Sequence, residues 1–107
     1  MTNNNPVPLQ VIVGDIPYTI EKKDRITTEE GKNLDGQITY NTATIEIVEG
    51  MPIQVERFIV WHEIAHACFE AAGHNAYRMD EDLVDCVAHK IVEVLRANPQ
   101  LVAYTVS

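Results

Sequence analysis

His62 and His66 stand four residues apart in the stretch "VWHEIAHACFEAAGH", with Glu63 directly after the first. On a helix that spacing makes the two side chains surface neighbours, with Cβ atoms about 5–6 Å apart. Their imidazoles could then converge on one ion at Zn–N distances of about 2.0–2.1 Å. Glu63 would lie about 100° further around the helix, where a carboxylate can take a proton from a water polarised by that ion. The chemistry spelled out by these three residues is hydrolysis by a metal-activated water, with Zn2+ the expected ion. The competing account, two core histidines making ordinary hydrogen bonds, has to bear the cost of burying two imidazoles.

A catalytic zinc site ordinarily takes three protein ligands and leaves a position for water. Glu70 continues the four-residue series, but at 1.5 Å per residue it lies about 12 Å along the axis from His62, too far to share its ion. His74 stands eight residues after His66, whereas a third histidine in the H-E-x-x-H-x-x-G-x-x-H pattern falls six after. The run "DEDLVD" offers more. Glu81 and Asp85 are in helical register with Ala88, Val92 and Leu95, which places two carboxylates in line with residues expected to be buried. Metal ligation by Glu81, with Asp85 bracing a histidine N–H from the second layer, would resolve both charges. Alternatively, Asp80, Glu81 and Asp82 simply favour a helix N-terminus electrostatically.

These residues need two helices and something to hold them. From Pro52 the apolar period is helical, with Val55, Ile59, His62, His66 and Phe69 as its stripe and Gly73 as a stop signal, so a central helix of about five turns is expected. Phe58, Trp61 and Phe69 on that helix are expected in the core. "GHNAYRM" is a connector, and Asp80 can cap a second helix running to Ala97 and ended by Asn98-Pro99. Before the helices, "LQVIVGDIPYTIEKK" reads as two β runs around Gly14-Asp15, with Pro17 confining the second to an edge or a strand start. "DRITTEEGKNLDG" reads as a loop, and "GQITYNTATIEIVEG" as strands over 36–40 and 43–48. The expected fold class is α+β: a small antiparallel sheet in the N-terminal half packed on two main C-terminal helices, a minimal zincin-like arrangement. Residues 1–8 form a loose arm, and residues 9–107 a single domain.

Sixteen Asp and Glu against eight Lys and Arg give a net charge of -8. That balance repels phosphate backbones and anionic lipid surfaces, so direct nucleic-acid binding is not expected. No run approaches a membrane span and the opening "MTNNNPVPLQ" has no leader character, which points to the cytoplasm. Cys68 and Cys86 show no CxxC spacing and are expected as small buried thiols.

Taken together, "HEIAH" and "EDLVDCVA" resemble the ImmA/IrrE-type metallopeptidases of the gluzincin kind, in which H-E-x-x-H on one helix is followed by E-x-x-A-[ND]-x-F-A on the next. Val84 stands here for the family's Ala and Val87 for its Phe, and the spacer from His66 to Glu81 is shorter than in larger members. The segment "GQITY" is similar to the G-x-I-x-Y strand of the short phage-encoded forms. The resemblance implies zinc ligation by His62, His66 and Glu81, water activation by Glu63, and a role for Asp85 behind the ligands. It also implies a phage- or mobile-element-encoded endopeptidase acting, in the host cytoplasm, on a protein or peptide such as a regulator. Two rivals remain: a metal-stabilised protein-binding module without catalysis, and a DNA-associated zinc protease of the SprT-like kind, which the acidic charge disfavours.

Overall fold

Gly14 and Asp15 turn the first hairpin. Gly14 has φ of 61°, as the first central position of a two-residue hairpin turn requires, and the strands β1 (Gln10–Val13) and β2 (Ile16–Lys23) pair antiparallel from Val13 opposite Ile16. The computed structural model describes residues 5–107. Of the expected N-terminal arm, residues 1–4 lie outside the described residues, while Val7 packs against the core.

Next in order come β3 (Ile26–Thr27), β4 (Asn33–Leu34), β5 (Gly36–Thr39) and β6 (Thr44–Val48), then the helices α1 (Ile53–Ala71), α2 (Asn75–Arg78), α3 (Glu81–Ala97) and α4 (Pro99–Thr105). The fold is α+β, with the sheet built from the N-terminal half and the helices from the C-terminal half.

The four-stranded sheet runs β1-β2-β6-β5, and it is mixed rather than wholly antiparallel. β2 and β6 lie parallel, Thr19 opposite Thr44 through Lys23 opposite Val48. Alternation of side chains carries no information about strand direction, and the stretch from 24 to 43 is long enough for the crossover that a parallel pair needs, about a dozen residues. That crossover is not the structureless loop expected, since β3 and β4 pair within it. Pro17 sits near the start of an inner strand. Thr19 N–H bonds to Ala43 on the β6 side, so the Pro17 nitrogen points the same way, short of where the β6 ladder begins.

Tyr18, Ile20, Ile45 and Ile47 on β2 and β6 meet Val60, Ile64 and Ala67 of α1 in the main core. On its other side α1 packs Ala65, flanked by Trp61 and Phe69, against Val84 and Ala88 of α3. α1 is therefore sandwiched between sheet and α3. The stripe expected on α1 is only partly the buried face: His66 is buried as expected, but Val55 is 42% exposed, and the other buried residues are Glu56, Val60, Glu63, Ile64, Ala65 and Ala67. A helix apolar around most of its circumference does not fix its own phase; its two neighbours do. The burial expected of the cysteines is overturned as well: Cys68 on α1 and Cys86 on α3 are both free and exposed, each lying off the face its helix buries.

α1 ends in a Schellman motif, with His74 N–H bonded to Phe69 O, Gly73 N–H to Glu70 O, and Gly73 at φ of 77°. Asp80 caps α3 by accepting from Leu83 N–H at 3.1 Å. α3 stops at Ala97, as expected, but Pro99 then opens α4, a position where its missing N–H costs nothing. Among the described residues no helix is long and apolar enough to cross a membrane.

Candidate metal centre

α1 presents His62 and His66 one turn apart, and the Schellman stop plus α2 fold the chain back so that Glu81, the first residue of α3, arrives opposite them. His62 Nε2 lies 2.9 Å from Glu81 Oε2, His66 Nε2 lies 3.0 Å from Glu81 Oε1, and the two Nε2 atoms are 3.2 Å apart. Three donors around one tetrahedral zinc at bond lengths of about 2.0–2.1 Å stand about 3.3 Å from one another. Within the described residues this group is the one cluster of His, Cys, Asp and Glu side chains that could hold a metal ion.

The second layer decides what those donors present. His62 Nδ1 is 3.3 Å from Asp85 Oδ1, a contact that orients the ring with its Nε2 facing Glu81 and His66. The His66 ring gives its hydrogen bond to the main chain of Arg78, and burial holds its pKa below the ordinary value, which keeps it neutral. Two imidazole nitrogens and a carboxylate thus converge within hydrogen-bond distance of one another. Nitrogen and oxygen donors at that spacing fit a divalent ion such as zinc.

Glu81 and Asp85 were expected in line with buried residues. Their side chains are instead 68% and 60% exposed, at the margin of the buried face formed by Val84, Ala88 and Val92. The donor triad therefore opens to solvent on the Glu81 side. Asp85 also reaches His89, whose Nε2 is 3.7 Å from Oδ2 and whose ring stacks on Phe58 at 4.1 Å. Sequence reasoning did not single out His89, although its i,i+4 relation to Asp85 is a visible signal.

Glu63 is only 6% exposed, yet it lines the same cleft of about 580 Å³ as the triad. Burial pushes its carboxyl up to about 7, partly offset by His62 and reinforced by Glu81. A carboxyl poised near neutrality is suited to accepting and returning a proton. Gly36 makes room for it: a Cβ there would stand 3.2 Å from Glu63 Oε2 and 2.7 Å from Ile59 Cγ2. A glycine opening a strand is the sequence signal for such an approach.

β5 forms the opposite wall. It is an edge strand, paired only with β6. Val48 N–H bonds to Asp35 O, and Gly36 faces Ile47, so by antiparallel alternation the main-chain groups of Gly36 and Ile38 point to the open side. Four residues could have served as polar partners in the cleft. Tyr40 and Arg78 line it, whereas His74 and Tyr77 stack on each other, ring centroids 5.1 Å apart. Burial raises the Tyr40 phenol to about 12, against the opposing pull of Arg78, so it keeps its proton. Glu70, set aside as a ligand for its distance, makes an ion pair with Arg78.

Comparison of the chain with protein families, with curated proteins and with solved structures found no match.

Proposed function

We propose that this protein is a zinc-dependent endopeptidase. The observation that carries the proposal is the convergence of three candidate ligand atoms, from His62, His66 and Glu81, at the mouth of a cleft that also holds the buried Glu63. The likeness of "HEIAH" and "EDLVDCVA" to the ImmA/IrrE-type peptidases supports the same activity.

Zinc, when bound, supplies Lewis acidity toward a water and toward the carbonyl under attack. The residues of the chain do the rest. Glu63 takes a proton from the water as its oxygen bonds to the carbonyl carbon, and returns that proton to the nitrogen as the C–N bond breaks. Asp85 and the Arg78 carbonyl hold the two imidazoles with their Nε2 atoms inward. An extended peptide laid along β5 would find the free main-chain groups of Gly36 and Ile38, in the manner of an added strand. The substrate class is therefore an extended peptide or an unfolded segment of a protein, a regulator of a phage or mobile element being the kind the motif likeness suggests. The host cytoplasm is the corresponding compartment. A structural ion would call for a closed donor set, whereas Glu81 stands exposed beside an open cleft.

Elemental analysis of the purified protein tests the first half of the proposal. About one zinc per chain is expected in the natural sequence, with a clear loss in Glu81→Ala. No zinc in the natural sequence, even after zinc is offered, would overturn it. Peptide cleavage that is abolished in Glu63→Gln, with zinc retained, completes the test.

A further inference from the structure

Arg78 joins three elements at one corner of the cleft. Its guanidinium makes an ion pair with Glu70 on α1 and lies over the Tyr40 ring just past β5, 4.9 Å from the centroid. Its main chain accepts the hydrogen bond of the His66 ring. Arg78 N–H is itself bonded to His74 O, closing the single turn of α2. A four-residue helix has little stability of its own, so the place of the Arg78 carbonyl depends on what anchors the side chain. Both Arg78 and Glu70 are part-buried, where an ion pair is screened less than at the surface.

We infer that Glu70 and Tyr40 are positioning residues for the metal centre, acting through Arg78, whose main-chain carbonyl fixes the His66 ring. The inference rests on the metal-site proposal above. Neither residue touches the donors. Glu70 pins the guanidinium from the α1 side and Tyr40 from the β5 side, and between them they hold the α2 turn at the height where its carbonyl meets the ring. Partners that orient a metal-ligating histidine in this way typically contribute about 10- to 100-fold to metal affinity.

The test is a cycle of Glu70→Ala, Arg78→Ala and the double variant, with zinc Kd measured by competition against a chromophoric chelator. Glu70→Ala should weaken zinc binding by about 10-fold or more, and the double variant should lose no more than Arg78→Ala alone, because one residue acts through the other. Tyr40→Phe, which keeps the ring, should hold the affinity, and Tyr40→Ala should lose it.

The ring nitrogens of His66 give a second readout in the metal-free protein. Their 15N shifts should report one fixed tautomer in the natural chain and an exchange-averaged ring in Glu70→Ala. Unchanged zinc Kd and unchanged ring shifts in Glu70→Ala would overturn the inference, as would additive losses in the cycle. Should the natural protein take up no zinc, the metal proposal falls but the ring shifts still decide whether the corner works as described. Glu70→Gln carries the same measurements if circular dichroism finds Glu70→Ala unfolded.

Discussion

Replacing Glu63 by Gln in the metal-free protein should change the pH dependence of folding stability by an amount the structure fixes. The Glu63 carboxyl is almost fully buried and titrates at about 7, because burial penalises the charged form more than His62 relieves it, and Glu81 adds repulsion. In the unfolded chain the same group has its ordinary value of 4.5. Below about pH 4.5 it is protonated in both states and adds no pH dependence. Between the two values the unfolded chain releases the proton and the folded chain keeps it, so stability falls as pH rises, and above about pH 7 the loss is complete. At about 1.4 kcal/mol per pKa unit the full loss is about 3 kcal/mol. Gln does not titrate and should escape it. Urea unfolding of both proteins in chelator, from pH 4.5 to 8, should show the advantage of Glu63→Gln growing by that amount, a relative midpoint shift of about 1–3 M. Any constant offset from burying an amide cancels, since the growth with pH is what is read. Parallel stability profiles would refute the reasoning and return Glu63 to a solvated carboxylate.

Two further outcomes follow from the same geometry. Asp85→Asn should weaken zinc binding by about 10- to 100-fold in chelator competition while leaving the thermal midpoint of the metal-free protein nearly unchanged, because Asp85 is exposed and its side chain meets His62 and His89 at the surface. Gly36→Ala should cost about 1–3 kcal/mol by denaturant unfolding and lower peptidase activity further, since its Cβ collides with Ile59 Cγ2 at 2.7 Å and crowds Glu63 Oε2.

The helices were legible because their ends are chemically marked: Pro52 and Gly73 bracket α1, Asp80 and Asn98 bracket α3. The four-residue spacing of His62 and His66 was legible for the same reason, being local. Glu81 was connected to them by a conflict between charge and period and by the motif likeness of "EDLVDCVA", and the conflict was overstated, since Glu81 and Asp85 are exposed. What stayed hidden depends on contacts between distant segments. The direction of β6 against β2, the phase of α1 and the exposure of Cys68 and Cys86 are each set by what lies across the interface. The Arg78 carbonyl was hidden for a different reason, because a main-chain acceptor leaves no mark in the residue type.

The parallel pairing of β2 with β6 separates the site into two parts with different histories. His62, His66 and Glu81 fall within one helical hairpin, the farthest pair 19 residues apart, and can meet as soon as α1 and α3 fold against each other. The wall that shields Glu63 is β5, which is held in the main sheet only by β6, which is placed only once residue 44 has found residue 19. Closing that long connection is the entropically slow kind of step. In refolding of the complete chain, α1 and α3 can therefore gather the three donors while the glutamate beside them is still hydrated and weakly basic. Such an intermediate would bring the three candidate ligands together before the carboxyl beside them is buried, so ion binding and the raised Glu63 pKa belong to separate steps of folding.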